Sequence, residues 1–338
     1  LGIINFMNLQ KTIKDTIELE GVGLHNGVRA NLLIKPAKVN SGIIFKRVDL
    51  NSSNIIDANF NNVVEPILCT KLKNKKGIIF GALDENSIAW KTAEKIQAQG
   101  GEFVLTNAPV AIRMGKLNDL AKKTNSLLVP ADATRNEDLE SLIDKTLKHF
   151  NGKIDFVLHS IGMSVNVRKG KSYTDLNHDW LTKGWDVSAV SFHKLLQVLY
   201  NKDAMNEWGS IVALSYMAAQ RVFPNYNDMA DNKAYLESVA RSFGYFFGKE
   251  KKVRVNTISQ SPTPTTAGQG VKGFDGFINY AEKMSPLGNA SADDCADYTV
   301  SLFSDLTRKV TLQNLFHDGG FSNVGVSQEI IDIISDNS

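Results

Sequence analysis

Short apolar runs alternate with longer amphipathic segments from Gly77 to the end of the chain. Each run has the length and composition of one buried strand, and each longer segment is typical of a helix that covers a sheet. The runs that predict strands are GIIFG (77–81), EFVLT (102–106), SLLVP (126–130), IDFVLHS (154–160), GSIVALS (209–215), KVRVNTIS (252–259) and TLQNLFHD (311–318). Strands that alternate with helices predict βαβ units, and therefore an α/β domain with a doubly wound parallel sheet and helices on both faces over 77–325.

The segment 136–150 shows the helical pattern most clearly. Its apolar residues recur on one face of an α-helical period, and they are Leu139, Leu142, Ile143, Leu147 and Phe150. Thr134 or Asn136 is expected to cap the start of this helix.

Residues 1–72 have a different pattern, because their strand-like runs are joined by glycine and proline turns with no helical segment between them. These runs lie within 13–27, 29–37 and 42–50. We therefore expect a small β-rich appendage over 1–72 and the doubly wound domain over 73–338.

The composition narrows the function classes. A chain of 338 residues with 43% hydrophobic residues can bury a full core, and a net charge of +2 gives no general attraction to nucleic acid. The one dense basic run, four lysines between residues 71 and 76, fits a solvated linker. Cys69 and Cys295 form no CxxC or Cys/His cluster, which fits a reducing compartment and argues against a metal site. With no membrane-spanning run and no signal-peptide pattern, we expect a cytoplasmic protein without nucleic-acid binding or membrane insertion.

Tyr226 and Lys233 lie seven residues apart, and Tyr216 precedes Tyr226 by ten. If this stretch is one helix, seven residues are about two turns, so the phenol and the ammonium share a face. A nearby cation favours phenolate and lets the hydroxyl stabilise or protonate a developing oxyanion. Without further context, a tyrosine at this position is more often a core or surface packing residue.

The first predicted strand ends at Gly81, and a helix is expected to open near Ser87, Ile88 and Ala89. A doubly wound sheet holds a dinucleotide pyrophosphate at this place, on backbone N–H groups. The usual GxGxxG is absent, since Gly81 is the only glycine of the turn and Ser87 stands where a later glycine is normal. An ordinary strand-to-helix turn is therefore an alternative interpretation.

Two further segments follow predicted strands, namely Asp132 in PADAT and the run HSIG at 159–162. Ligands bind outside such strand ends. Asp132 is predicted either to contact an adenine or to serve as a turn or N-cap residue, and His159 is expected to be a core residue. The end of the second strand offers neither an acidic residue for a ribose 2′-hydroxyl nor a basic cluster for a 2′-phosphate, so we predict NADH, with NADPH possible.

Five motifs from about residue 72 to the end resemble the enoyl-acyl-carrier-protein reductases of the short-chain dehydrogenase/reductase superfamily. The motifs are Gly81 with Ser87-Ile88-Ala89, HSIG at 159–162, Tyr216 and Tyr226 with Lys233, RVNTIS at 254–259 and HDGGFS at 317–322. Ordinary members of the superfamily place the lysine four residues after the tyrosine, whereas this branch uses the longer spacing found here.

This resemblance implies a Rossmann-type fold, a homotetramer, and reduction of a trans-2-enoyl thioester on acyl carrier protein by hydride from NAD(P)H in fatty-acid biosynthesis. Tyr226 would stabilise the enolate oxygen, Lys233 would hold the nicotinamide ribose, and Tyr216 would line the acyl pocket, which makes these three the expected catalytic residues. The expected cofactor contacts are Gly81, Ser87, Ile88, Asp132, Ala133, Ser160, Ile161, Gly162, Lys233, Thr263 and Thr265. The expected substrate pocket is formed by Met163, Tyr216, Tyr226, Met229, and Phe274 or Phe277.

The resemblance also implies that Thr265, with Thr263 and Thr266, faces the cofactor at the base of a loop over 263–284. This Gly- and Thr-rich loop is expected to order on ligand binding. The segment 260–264 reads Gln-Ser-Pro-Thr-Pro where many family members have Ala-Gly-Pro-Ile, so its cofactor contacts do not transfer directly.

Residues 7–72 resemble the beginning of another enzyme, the UDP-3-O-acyl-N-acetylglucosamine deacetylase of lipid A synthesis. The zinc ligands and the general base of that family lie in motifs that this chain lacks, and His25 is not one of them. A hydrolytic zinc site needs three protein ligands and an open position, so we predict that this segment is catalytically inactive. We hypothesise that the chain is a fusion of two reading frames.

Two other functions compete with the reductase. A generic short-chain alcohol or ketone dehydrogenase is disfavoured by the spacing of Tyr226 and Lys233. A non-catalytic fusion product is disfavoured because Tyr216, Tyr226 and Lys233 are all present.

Overall fold

The computed structural model describes residues 19–25, 28–36, 43–48, 55–56, 71–266, 268 and 273–336. The chain divides into two compact units, Leu1–Thr70 and Lys71–Ser338. In the first unit, four strands form an antiparallel sheet in the order β1-β2-β3-β4. They are β1 Leu19–His25, β2 Val28–Pro36, β3 Ile43–Val48 and β4 Ile55–Ile56. The remaining parts of the predicted runs, at 13–18, 26–27, 37, 42 and 49–50, lie outside the described residues.

The second unit is built on a seven-stranded parallel sheet with the order β11-β10-β9-β8-β5-β6-β7. Its strands are β5 Lys76–Phe80, β6 Glu102–Thr106, β7 Leu127–Leu128, β8 Ile154–His159, β9 Met205–Ser215, β10 Arg254–Gln260 and β11 Asn314–His317. The order reverses next to β5, where β6 lies on one side and β8 on the other. This is the switch point at which doubly wound sheets bind ligands.

Helices cover both faces of this sheet. They are α1 Ile88–Ala98, α2 Pro109–Met114, α3 Leu117–Thr124, α4 Asn136–Phe150, α5 Val165–Arg168, α6 His178–Trp185, α7 Ser191–Asn201, α8 Asp228–Lys251, α9 Phe274–Met284, α10 Ala292–Phe303 and α11 Gln328–Asp336. A π-helical segment, Asp186–Val190, joins α6 to α7.

Alternation along the strands sends side chains into two separate cores. Ile78 and Phe80 of β5 pack with residues of α4, α7 and α8, whereas Ile79 between them packs with residues of α1, α3 and α10. Successive side chains of a strand point to opposite faces, so a strand with apolar residues throughout is buried on both. The predicted doubly wound α/β fold is thereby confirmed.

Most predicted elements are confirmed, with informative differences at their ends. Helix α4 spans the predicted residues 136–150, but its N-cap is Arg135 without a side-chain cap bond. The Thr134 hydroxyl instead donates to Asp132 Oδ1 at 2.7 Å, so the predicted cap was wrong. Strand β10 begins at Arg254 because Lys252, with φ of 54°, ends α8 in the left-handed conformation.

No helix in the described part of the chain combines the length and the hydrophobicity that a membrane span requires.

Leu72 belongs to the core of the second unit although the sequence assigned it to the appendage. Its side chain is fully buried with Ile96 and Phe103, and its N–H donates to the Gln99 carbonyl at 3.1 Å. The Lys71 N–H donates to the Gln99 side chain at 3.1 Å. The described packing of this unit therefore begins at Lys71.

We expect a chain that begins at Lys73 to be less stable than one that begins at Lys71, by about 2–5 kcal/mol, because removal of Leu72 leaves a cavity of leucine size. Chemical denaturation of the two chains measures the difference. Equal unfolding free energies would show that Leu72 contributes nothing to this core.

Candidate active site

A cavity of about 240 Å³ opens where β8, β9 and β10 end. Many of the predicted site residues line it, and they are Ile88, Ser160, Ile161, Gly162, Met163, Tyr216, Tyr226, Met229, Lys233, Thr263, Thr265, Phe274 and Phe277. Ligand pockets usually measure about 300–1,000 Å³, so this volume suits the reacting ends of two ligands better than an entire dinucleotide.

Tyr226 and Lys233 reach the same cavity, but they do not share a helix. Asn225 and Asn227 have φ values of 69° and 44°, so α8 begins only at Asp228, after the tyrosine. Asparagine tolerates this left-handed region better than most residues. The prediction of one continuous helix was therefore wrong, and a tight turn presents Tyr226 beside the start of α8.

The phenol of Tyr226 is held in its protonated form. Burial raises the pKa of Tyr226 above its ordinary value of 10. The expectation that Lys233 would favour the phenolate was therefore wrong, because desolvation penalises the charged form. The ring packs on that of Tyr216, with centroids 5.0 Å apart.

Lys233 is a buried cation that is held against the sheet. The residue is only 7% exposed, and its Nζ donates a hydrogen bond to the Leu214 carbonyl at 2.6 Å. Burial lowers the pKa of Lys233 to about 8, against an opposing effect of Glu237 one turn later. Glu237 is itself fixed by hydrogen bonds from Ser215 Oγ at 2.7 Å and Gln220 Nε2 at 3.1 Å.

Gly162 brings the HSIG segment next to Lys233. A Cβ added to Gly162 would lie 3.4 Å from Met229 Cε and 3.9 Å from Lys233 Nζ.

His159 of the same segment is buried, and its Nε2 lies 2.9 Å from Ser191 Oγ. Burial lowers the pKa of His159 to about 3. This neutral imidazole is a core residue, as predicted.

The hydroxyl of Tyr216 is buried without a hydrogen-bond partner among the described residues. Burial, together with the nearby Tyr226 and Asp318, raises the pKa of Tyr216. An unpaired buried hydroxyl costs free energy, which a ligand atom in the cavity would recover.

An apolar wall closes the side of the cavity that Tyr216 borders. Phe277 contacts the rings of Tyr216, Phe223 and Phe321, with centroids 6.3, 5.1 and 6.4 Å apart. Met163, Met229 and Phe274 also line the cavity. Such a wall suits a hydrocarbon chain.

The turn after β5 is built for close approach of a backbone. Gly81 has φ of 90°, and a Cβ there would lie 1.8 Å from the Ser160 carbonyl oxygen, so only glycine fits. Ser87 occupies the N-cap position of α1, but its side chain makes no capping hydrogen bond to the helix. Its hydroxyl instead donates to the Asp84 carbonyl at 2.7 Å. No acidic residue lies in the first turn of α1. These features fit a phosphate group at this helix N-terminus.

Four predicted cofactor residues lie outside the cavity lining: Gly81, Ser87, Asp132 and Ala133. Asp132 accepts hydrogen bonds from the backbone N–H and the hydroxyl of Thr134, at 2.9 and 2.7 Å. The Asp132 side chain therefore makes the hydrogen bonds of a turn residue, which was one of the two roles predicted for it. The other predicted role was a contact with adenine.

The predicted loop over 263–284 is partly a helix, since α9 occupies Phe274–Met284, and residues 267 and 269–272 lie outside the described residues. The prediction of an irregular segment up to 284 was therefore wrong for α9. At the base of this segment, the Thr266 hydroxyl donates to Asp84 Oδ2 at 2.6 Å, which joins it to the turn after β5.

Several cavity residues escaped the sequence analysis, and they are Ser164, Val167, Arg168, Leu214, Ser215, Gln260, Ser261, Pro262 and Gly268. A serine before a short helix is an N-cap signal, and Ser164 does cap α5 by accepting from Val167 N at 3.0 Å. The sequence marked Gln260 only as a departure from the family pattern. In the structure, Oε1 of Gln260 lies 2.7 Å from Nδ1 of the His317 ring, and this contact holds Gln260 in the cavity lining.

The fold and this cavity define a dinucleotide-binding α/β protein with a tyrosine and a lysine at its reactive end. The model of the enoyl-(acyl carrier protein) reductase family matches residues 81–322, and the chain belongs to this family. This confirms the resemblance drawn from the motifs.

Individual relatives agree with the family match. An enoyl-[acyl-carrier-protein] reductase [NADH] of Rhizobium meliloti is 32% identical over 253 residues, which cover 74% of this chain and 92% of that protein. The crystal structure of a FabI–NADH complex from Alistipes finegoldii is 66% identical with a TM-score of 0.76, and the match covers 77% of this chain and 92% of that one. The enoyl-[acyl-carrier-protein] reductase (NADH) structure from Aquifex aeolicus is 31% identical with a TM-score of 0.70, covering 76% and 99%.

The N-terminal segment matches a different family. The model of the UDP-3-O-acyl N-acetylglycosamine deacetylase family matches residues 10–83, which confirms the second resemblance. The two matches meet at residues 81–83.

We expect Tyr216→Phe to raise the free energy of unfolding of the ligand-free protein by about 1 kcal/mol, because it removes a buried hydroxyl that has no partner. Thermal or urea denaturation without ligand measures this. A loss of stability would mean that the hydroxyl is hydrogen-bonded in the free protein.

Proposed function

We propose that this chain reduces the double bond of trans-2-enoyl thioesters carried on acyl carrier protein, with NADH as the reductant. The observation that carries the proposal is the convergence of the Tyr226 hydroxyl and the Lys233 ammonium on one cavity with an apolar wall, at the carboxyl ends of parallel strands. The names of the relatives, which specify NADH, support the choice of cofactor.

When bound at the residues described above, NADH would supply a hydride for the β-carbon of the enoyl group. The work of the protein is to stabilise the negative charge that then builds on the thioester oxygen. The Tyr226 hydroxyl remains protonated because burial raises its pKa, so it donates a hydrogen bond to that oxygen or transfers a proton.

Lys233 orients the cofactor rather than the substrate. The Leu214 carbonyl accepts a hydrogen bond from one N–H of its ammonium, which leaves two N–H donors for ribose hydroxyls. Gly162 permits close approach at the same place, since any larger residue there would contact Met229 and approach Lys233. Gly81 and the N-terminus of α1 fit the pyrophosphate.

The acyl chain would lie along the wall formed by Met163, Met229, Phe274 and Phe277, with Tyr216 between this wall and Tyr226. Burial of apolar surface there supplies binding energy at a rate of about 25 cal/mol per Å². Thr263 and Thr265 line the cavity where they can contact the cofactor.

Three further expectations belong to this proposal. The reductase acts as a homotetramer in the cytoplasm, the loop predicted over 263–284 orders on ligand binding, and the N-terminal deacetylase-like segment is catalytically inactive. These stay predictions, as does the fusion of two reading frames.

The direct test follows the oxidation of NADH with crotonyl and longer enoyl thioesters, repeated with NADPH and with a chain that begins at Lys71. Turnover with NADH in both chains supports the reductase with a passive N-terminal segment. Turnover only in the shorter chain means that the N-terminal segment obstructs activity. Reduction of simple ketones in preference to enoyl thioesters supports the alternative dehydrogenase, and no turnover in either chain supports the non-catalytic protein.

We expect Tyr226→Phe to lower kcat by about 10²–10³-fold, because it removes the donor to the developing oxyanion, while NADH binding changes little. Steady-state kinetics and a fluorescence titration with NADH separate the two effects. An unchanged kcat would remove Tyr226 from the mechanism.

The activity should also fall as the pH rises through about 8, where Lys233 loses its proton in the free protein. Its pKa is lowered by burial, so the ammonium dominates below this pH and the neutral amine above it. The pH profile of kcat/KM for NADH reports this group. In Lys233→Arg, which stays charged, the descending limb near pH 8 should disappear, whereas Lys233→Ala should weaken both binding and turnover throughout.

A further inference from the structure

Asp228 is a fully buried carboxylate behind the wall of the cavity, at the first position of α8 and two residues after Tyr226. Its Oδ1 accepts a hydrogen bond from Ser164 Oγ at 2.7 Å, and its Oδ2 accepts one from Asn166 Nδ2 at 3.1 Å. Among the residues that the structure describes, no lysine, arginine or histidine forms an ion pair with it. A buried charge without a cation calls for a physical reason.

The surroundings of Asp228 suit an anion with two acceptors. An ionised carboxylate only accepts, so it satisfies two donors at once, and the N-terminus of the 24-residue helix α8 supplies partial positive charge. An apolar residue here would leave the Ser164 and Asn166 donors buried and unpaired. An asparagine would turn its own N–H₂ toward one of them.

Both donors belong to the segment 163–171, which forms one side of the cavity through Met163, Ser164, Val167 and Arg168. Ser164 also accepts from Val167 N, and Asn166 binds the carbonyl and the N–H of Asn177 at 3.1 and 2.9 Å. These bonds make the segment a rigid unit whose anchor on α8 is the carboxylate.

The turn that presents Tyr226 is attached to the same segment. Asn227 lies between Tyr226 and Asp228, and its Nδ2 donates to the Lys171 carbonyl. On the far side, Ser188 Oγ donates to the Met163 carbonyl at 2.9 Å and accepts from Met163 N at 2.8 Å. Asp228 and Asn227 thus connect the turn that presents Tyr226 to the segment 163–171.

We propose that Asp228 is a positioning residue for enoyl reduction, which sets the separation between the Tyr226 hydroxyl and the wall at 163–168 and so places the thioester oxygen within reach of its donor. This inference rests on the proposed function. Asp228 does not touch the reacting atoms, and it acts through Tyr226 and Ser164.

The test compares Asp228→Asn with Asp231→Asn in the full chain. Asp231 is the matched control, because it lies in the same first turn of α8 but is exposed, with its carboxylate accepting from the Tyr173 hydroxyl at 3.2 Å. We expect Asp228→Asn to lower kcat for an enoyl thioester by about tenfold or more, since a misplacement of about 1 Å can cost about a hundredfold. The dissociation constant of NADH should stay within about twofold in both variants, and so should kcat of Asp231→Asn.

Ser164→Ala provides a second variant that removes one of the two bonds without altering a charge. We expect a smaller loss of kcat in the same direction, and we expect the double variant with Asp228→Asn to lose little more than Asp228→Asn alone, because residues of one network are not additive. Non-additivity in kcat, at unchanged NADH affinity, is what a positioning role predicts, whereas a loss of stability would lower NADH affinity as well.

Each outcome has a definite meaning. A wild-type chain without enoyl thioester turnover overturns the proposed function, and the inference with it. Wild-type turnover that Asp228→Asn leaves unchanged overturns the inference alone. If Asp228→Asn loses thermal stability and NADH affinity together while Ser164→Ala keeps the wild-type kcat, Asp228 is a folding residue and the inference is likewise wrong.

Discussion

The site depends on one buried contact, between the ammonium of Lys233 and the carbonyl of Leu214 at the end of β9. Helix α8 packs against the sheet through Leu236, Val239 and Phe247, so the core determines where Lys233 meets the strand. A cation taken out of water needs acceptors, and one carbonyl cannot satisfy three protons. The remaining donors, in a cavity next to a glycine, explain why a polar ligand with hydroxyl groups would bind there.

The second constraint is the turn that separates Tyr226 from α8. A helix would hold the phenol at a fixed angle to Lys233, whereas the asparagine turn lets hydrogen bonds to the segment 163–171 set its position. Conformations that cost free energy persist where surrounding contacts hold them, and such places are often active sites. Here the buried Asp228 accepts two of those hydrogen bonds, from Ser164 and Asn166, and so ties the start of α8 to the segment 163–171.

The chain belongs to the reductase family through its second unit, Lys71–Ser338, and the deacetylase family model matches residues 10–83. Hydrophobic cores lie on both faces of the seven-stranded sheet of the second unit, and Leu72 is the first of its described residues to enter them. The family match spans 81–322 and therefore includes the whole cavity.

The sequence by itself determined the parallel sheet and its covering helices, because buried strands and amphipathic helices have distinct periods. It also singled out Gly81, through the composition of a glycine turn, and Tyr226 and Lys233 as candidate site residues. It also determined the two families, through motifs that lie far apart in the chain. Only the tertiary structure decided that Tyr226 precedes α8, that burial raises its pKa and lowers that of Lys233, and that Asp132 serves a turn. The burial that shifts the pKa values of Tyr226 and Lys233 comes from neighbours that are distant in sequence. The hydrogen bonds of Asp228 with Ser164 and Asn166 likewise join distant parts of the chain. A local pattern cannot report them, because they become neighbours only when the sheet and its helices have packed.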